Sequence, residues 1–390
     1  MEVYILDSLY RRSQVADRFE SLIWTERFSS YGDFELVTQS TLENRNRFTL
    51  GARLAINESR RVMTIETTED TTDSEGRALL TIKGRSLEAI LENRLAMADL
   101  TDLTTDPKWI LEGFPLDIAT QMFHDICVTG ILDPGDIIAG VTEGSIYPTD
   151  TIGAPTDEII YSIDPMTLYQ ALKNLCDVYE MGFRLVRDLD TSMLYFDVYM
   201  GSDRTTQQTT LPVVIFSPDL ENLRNTTLLT SIALYKNAAY VVSPVGHEIV
   251  YPLDVPPDIA GFDRQVLFVK ADDITDVIPA DASAKMIQRG KEELARSRRF
   301  TAFDGELAQI NQYKYEVDYY LGDLVELRTD EGTTSSMQVT EQIFVSDKQG
   351  ERSYPTLSVN TFITPGSWLA WDYNQVWEDL GLTEYWEDQP

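Results

Sequence analysis

Leu22-Ile-Trp-Thr-Glu-Arg-Phe28, then Ser29-Ser-Tyr-Gly32, then Asp33-Phe-Glu-Leu-Val37 is the stretch on which the fold turns. In its last arm Phe34 and Leu36 alternate with Asp33 and Glu35, the period expected of a half-buried strand. The first arm is a second apolar run, and the Ser-Ser-Tyr-Gly segment between them is a turn. Working outward, Val3-Tyr-Ile-Leu6 begins another short strand. Arg61–Glu66 and Ala78–Lys83 flank the acidic, turn-rich Asp70–Gly76, a hairpin pattern. Gly84-Arg-Ser-Leu87 then opens a short helix, with Ser86 as N-cap and Leu87, Ile90 and Leu91 on one face.

From about Ala96 to Tyr161 the texture changes. A helix is expected near Pro115–Cys127, where Ile118, Met122 and Ile126 share a face, but the rest is rich in Gly, Pro, Thr and Asp. It reads as an insertion or an irregular subdomain. Asp164-Pro165 has the form of an N-cap followed by proline at the first helical position. Leu168, Leu172, Leu175, Cys176 and Tyr179 follow at helical spacing, and Gly182 is expected to stop that helix. Phe183–Arg187 and Met193–Tyr199 form a hairpin around Asp188–Ser192.

Strands resume at Val213–Phe216, Ser231–Tyr235 and Ala238–Val242. One more helix is expected over Ala282–Arg296, with Ile287, Gly290 and Leu294 on a common face. Tyr313–Asp318, Leu324–Arg328, Ser336–Val345 and Pro355–Val359 form a final β segment broken by Gly- and Asp-containing turns. Strands, a helix and strands again, occurring twice, suggest two related β-barrel-like modules. The fold class expected is therefore α+β and β-rich, with short helices and an inserted subdomain. The segments are 1–95 and 201–365 for the modules, 96–161 for the insertion, 162–200 for the helix and hairpin, and 366–390 for a C-terminal tail.

Composition narrows the function. At 390 residues the chain has room for two or three domains at roughly 100–200 residues each. Hydrophobic residues make up 43%, a globular composition, and no run approaches the roughly 20 apolar residues of a membrane helix. The N-terminal MEVYILDSLYRRSQ lacks the basic-then-apolar order of a signal peptide, so synthesis and folding in a cytoplasm are expected. Cys127 and Cys176 stand apart from any Cys/His cluster and read as free buried thiols. A net charge of −32, from 64 acids and 32 bases, opposes binding to a phosphate backbone.

No catalytic spacing emerges. The two histidines, His124 and His247, show no HExxH or HxH pattern, and GxSxG, P-loop and GxGxxG motifs are missing. Glu66, Glu69, Asp70 and Asp73 surround one turn, but so many acids produce such groupings by chance, and none has the spaced DxDxDG form of a calcium loop. No cofactor and no metal is expected. Two features invite a partner instead. Lys285–Arg299 carries Lys285, Arg289, Lys291, Arg296, Arg298 and Arg299. These are either a solvated helix face, with Glu292 and Arg296 paired at i,i+4, or a contact for an acidic surface on a neighbouring subunit. Gly366–Pro390 carries Trp368, Trp371, Trp377 and Trp386, four of the six tryptophans, with six acids and no Lys or Arg. Tryptophan is favoured as an interface anchor, so a docking tail is the reading, with folding back on its own chain as the alternative.

Several motifs in order resemble one family. They are Trp24-Thr-Glu-Arg-Phe28 with Gly32-Asp-Phe-Glu-Leu36, Gly84-Arg-Ser-Leu-x-x-Ile-Leu-x-x-Arg94, Phe216-Ser217 with Asn222-Leu223, Tyr235-Lys-Asn-Ala238, Arg264 after Gly261, and Asp318-Tyr-Tyr-Leu-Gly-Asp-Leu-Val325. Together, from about Met1 to Val359, they resemble the minor tail proteins of actinobacterial siphophages that form the tail-tip or baseplate hub. The resemblance implies two tail-tube-like β-barrel domains per subunit and a homotrimeric ring at the virion tail tip. It also implies contacts with the distal tail protein, the tape-measure protein and receptor-binding or fibre proteins. DNA would meet such a ring only in transit, and an acidic lumen would let it slide without adhering. A tail-associated cell-wall hydrolase housed in 96–161, or a carbohydrate-binding adhesin using the C-terminal tryptophans, are the alternatives.

Overall fold

The computed structural model describes residues 1–16, 18–72, 76–98, 108–147, 152–222, 224–252, 255–276, 278–297, 300–306, 313–328 and 334–359. The chain divides into two compact units, one of Met1–Leu229 with Thr301–Ser358, the other built on Thr230–Phe300. Each has its own core.

The larger unit is organised by one sheet. Its N-terminal strands are β1 (Val3–Leu6), β2 (Arg12–Ala16), β3 (Ser21–Arg27), β4 (Asp33–Gln39), β5 (Arg53–Ile56), β6 (Met63–Thr72) and β7 (Ala78–Ser86). The helix α1 (Leu42–Arg47) interrupts this series and is capped by the Thr41 side chain, which accepts from Asn44 N–H. Alternation works as the sequence predicts. Leu22, Trp24, Phe34 and Leu36 are fully buried or nearly so, while Ile23 between them is exposed. The C-terminal strands join this same sheet. Thr334–Asp347 pairs antiparallel with β3, placing Phe344 opposite Trp24. The order β3-β4-β7-β6-β5-β1-β2 thus continues through the C-terminal strands to Arg224–Ser231. This is an open path of strands, and closed barrels are not seen among the described residues. Gly84 is required where β6 and β7 meet, because a Cβ there would lie 1.8 Å from the Thr64 carbonyl oxygen.

A second core in this unit lies around α2 (Pro115–Phe123), α3 (Leu168–Tyr179) and the hairpin Gly182–Arg187 with Leu194–Tyr199. Phe123 stacks on Phe196 with ring centroids 3.7 Å apart. Residues expected to separate into segments 96–161 and 162–200 share this core, because Trp109–Gly113 pairs with Ile159–Ile163 and α2 packs beside α3. Several local expectations are corrected here. The helix begins at Leu168 and not at Pro165, because Met166 and Thr167 stay extended to pair with Ala96 and Leu95. Thr167 is then the N-cap, accepting from Gln170 N–H at 3.2 Å. The helix ends at Glu180 in the left-handed conformation, and Gly182 instead starts the next strand. Gly182 is needed for packing, since a Cβ would fall 2.4 Å from the Phe28 ring. Ser86 precedes a 3-10 helix without capping it; its hydroxyl accepts from Gly32 N–H.

Tyr313–Asp318 is a turn held by one bridge, Tyr315 to Tyr319, with Glu316 at a φ of 60°. Ser231–Tyr235 likewise is not a strand, since the observed strand ends at Ser231.

The smaller unit is a three-stranded sheet, with Gly246–Val250 and Val266–Lys270 either side of Ala238–Ser243, covered on one face by α4 (Pro279–Ala295). Ala282, Met286, Gly290 and Leu294 face that sheet at helical spacing, and Ile287 is at the margin, 36% exposed. Gly290 permits the close approach, as a Cβ would sit 2.6 Å from Val250. Among the described residues no helix is long and apolar enough to cross a membrane.

Candidate functional site

The most developed chemistry in the larger unit is a buried ionic cluster, and sequence reasoning did not find it. Glu26 lies on the inward face of β3, in phase with Leu22 and Trp24, and is 1% exposed. Its carboxylate accepts from Trp24 Nε1 at 3.1 Å and from the Tyr315 hydroxyl at 3.0 Å. Beside it Arg61, 2% exposed, forms an ion pair with the fully buried Glu88 and donates to the Arg27 carbonyl at 3.1 Å. Glu88 also accepts from Leu185 N–H at 2.8 Å, so one carboxylate ties the 3-10 helix to the hairpin. Arg184 pairs with Asp197 at 2.5 Å and lies 3.8 Å and 3.6 Å over the rings of Tyr147 and Tyr199. Tyr147 in turn donates to Glu316 at 2.7 Å.

Burial dominates the electrostatics of this cluster. It raises Glu26 to about 7, partly offset by Arg61 and reinforced by Glu316. Glu316 is raised too, again chiefly by desolvation. A third buried pair, Arg204 with Asp323 at 2.5 Å, is completed by the Ser202 and Tyr320 N–H groups. What these groups do is join segments remote in sequence: β3, the residues before β6, the hairpin, and the 313–323 turn. Replacing one partner leaves a buried charge uncompensated, so the pairs specify which segments meet. An acid or arginine in phase with apolar strand positions was the signal available in the sequence.

The surface offers strand edges. From Glu66 to Thr72 every residue of β6 is exposed, and the strand pairs with β7 on one side. On the other side β5 reaches only Thr64, and among the described residues the distal edge is unpaired. It reads Glu-Thr-Thr-Glu-Asp-Thr-Thr. The sheet path ends at β2, whose Arg12, Ser13, Gln14 and Val15 are exposed.

The residues singled out for docking are placed as follows. Arg289 and Arg296 are on α4. Arg289 pairs with Asp273 at 3.2 Å, and Arg296 pairs with Glu293 at 2.6 Å, where the sequence suggested Glu292. Glu292 instead accepts from Gln288 at 3.2 Å. Lys285 is buried and pairs with Asp276. Arg298, Arg299, Trp368, Trp371, Trp377 and Trp386 lie outside the described residues. Cys127 and Cys176 are buried free thiols raised by desolvation, as the sequence indicated.

Comparison with known proteins agrees with this architecture. No curated protein sequence matches the chain significantly. Among solved structures, the tail protein from Neisseria meningitidis MC58 is similar at 14% identity and a TM-score of 0.56, covering 94% of this chain and 98% of that one. The 43 kDa tail protein of prophage MuSo2 from Shewanella oneidensis is similar at 13% identity and a TM-score of 0.52, covering 92% and 96%. At such identities the likeness establishes the fold. The family model for the Siphovirus ReqiPepy6 Gp37-like protein matches residues 2–357. With nearly its whole length matched, the chain belongs to this family of siphovirus tail proteins.

Proposed function

We propose that the chain is a non-enzymatic hub subunit at the tip of a long, non-contractile phage tail. Three copies would form a ring that closes the tail tube and opens for DNA ejection. The observation that carries this reading is the pair of unlike strand edges. The Glu66–Thr72 edge of β6 is acidic, whereas β2 begins with the exposed Arg12, whose guanidinium stacks on Tyr4 at 4.0 Å; Arg11 just before it pairs with Asp7. Like charges disfavour pairing of β6 with itself. Complementary charge favours β6 of one copy against β2 of the next, a head-to-tail contact that closes into a ring when the rotation allows. The surplus of acids would suit a lumen through which DNA passes without adhering. The distal tail protein, the tape-measure protein and receptor-binding or fibre proteins would be the neighbours.

Two experiments test this. Glu69→Lys is expected to abolish self-association in light scattering of the purified chain, and Arg12→Glu in the same chain to restore it. A reconstruction of the virion tail tip is expected to show three copies around the tail axis. A single copy, or a position away from the tube, would refute the hub reading.

A further inference from the structure

The sheet of the smaller unit has two faces, and among the described residues only one is covered. Glu248 and Val241 point to α4, where Glu248 accepts from the Ser283 hydroxyl. The opposite face presents Tyr240 and Val242, His247 and Ile249, and Val266, Phe268 and Lys270. Val242, Ile249 and Val266 are about 40% exposed, and Phe268 is 66% exposed. Registers place these side by side, Tyr240 between Ile249 and Phe268, and Val242 between His247 and Lys270. An aromatic and aliphatic patch of this kind on a soluble domain marks a contact site.

Its charge is unusual for this protein. In a chain of 64 acids, none of the outward positions of these three strands is Asp or Glu. The patch carries Lys270, which pairs with Asp272 just beyond the strand, and is flanked by Arg264. Arg264 lies over the rings of Tyr240 and Tyr251 and donates to both hydroxyls at 3.1 Å and to the Ile259 carbonyl at 3.0 Å. The turn carrying it also holds Phe262, which is fully exposed.

The same chain contains a segment of matching chemistry. Gly366–Pro390 has four tryptophans, two tyrosines and six acids, with no Lys or Arg. We propose that this C-terminal segment docks on the outer face of the Ala238–Ser243, Gly246–Val250 and Val266–Lys270 sheet. Tryptophans would cover Phe268, Ile249 and Val242, with carboxylates near Arg264 and Lys270. Aromatic anchors supply the buried apolar contact, and a surface with no acid among its outward strand positions is where an acidic segment meets least repulsion. This pairing is independent of whether copies form a ring.

Hydroxyl-radical footprinting of the full-length chain tests it. Phe268 and Ile249 are expected to oxidise several-fold more slowly in the native chain than in one carrying Trp→Ala at 368, 371, 377 and 386. Carbodiimide coupling is expected to join Lys270 to a carboxylate of 366–390, and that cross-link to disappear in the tryptophan variant. Phe268→Asp, at an exposed position that folding does not need, is expected to red-shift tryptophan emission. Equal oxidation in native and variant chains would overturn the proposal. So would protection that persists in the variant and grows with protein concentration, which would mean that a second copy covers the face.

Discussion

Replacing Glu26 with Gln separates the cost of burying its charge from the packing of its side chain. The carboxyl is 1% exposed and is raised from 4.5 to about 7, primarily by desolvation. An acid raised in the folded state contributes stability that is fully present below its unfolded value near 4.5 and is lost as pH rises through about 7. At 1.36 kcal/mol per unit, the loss between pH 4.5 and pH 8 is about 3 kcal/mol. Glutamine keeps the shape and an oxygen to accept from Trp24, and its amide can donate to Tyr315 in place of the second oxygen. Arg61 keeps its ion pair with Glu88. The Glu26→Gln chain is therefore expected to match the parent near pH 5 and to exceed it by up to about 3 kcal/mol at pH 8. Urea midpoints for the larger unit, measured from pH 5 to 8, read this directly. An unchanged pH slope between 5 and 7, or a net loss at pH 8, would refute the assignment of Glu26 as the group responsible.

Arg61→Met leaves Glu88 buried without its cation and is expected to cost about 3–5 kcal/mol, read as a lowered urea midpoint at neutral pH. Gly84→Ala forces a methyl group onto the Thr64 carbonyl and the Phe34 ring and is expected to cost about 2–3 kcal/mol, with proteolysis appearing first in the β6–β7 hairpin. Because each copy carries −32, long-range repulsion between copies opposes assembly, and salt screens it over a longer range than the contact between two apposed strand edges. Raising salt from ~10 mM to ~150 mM is therefore expected to increase self-association in light scattering, and a decrease would indicate contacts dominated by exposed ion pairs.

The strands were legible because Leu22, Trp24, Phe34 and Leu36 carry the period of the sheet locally. Their partner was not, since Phe344 lies opposite Trp24 across more than 300 residues and no local pattern encodes that register. Where local signals conflicted with a remote contact, the contact decided. Asp164-Pro165 has a good helix start, yet Leu95 and Ala96 hold Thr167 and Met166 extended, and the helix waits until Leu168. Tyr313, Tyr315 and Val317 alternate as a strand would, but Glu316 adopts a left-handed conformation and Val317 is 60% exposed. The Glu316 carboxylate accepts from Tyr147, and Tyr315 donates to Glu26, so this turn is fixed by partners elsewhere in the unit. The ionic cluster was only partly legible for a related reason. Glu26 stands in phase with Leu22 and Trp24, but nothing local identifies Tyr315, 289 positions away, as its partner.

The way the bases are used bears on what the surface can do. Arg61, Arg184 and Arg204 are each buried against a carboxylate, and Arg27 is shared between Asp33 and Glu341. On α4, Lys285, Arg289 and Arg296 are likewise paired with acids of their own unit. With half as many bases as acids, every neutral pair held internally leaves the net charge of −32 on the exterior with fewer bases there to offset its acids. Copies of such a chain repel one another except where the acids are spared. Specific assembly is then directed less by attraction at one site than by repulsion everywhere else. Among the described residues two places are spared much of that repulsion: the β2 edge with Arg12, and the sheet face of the smaller unit flanked by Arg264 and Lys270. The first is a strand edge and suits another strand. The second is an apolar plane without a free edge at its centre, and suits side chains that cover area, as tryptophans do.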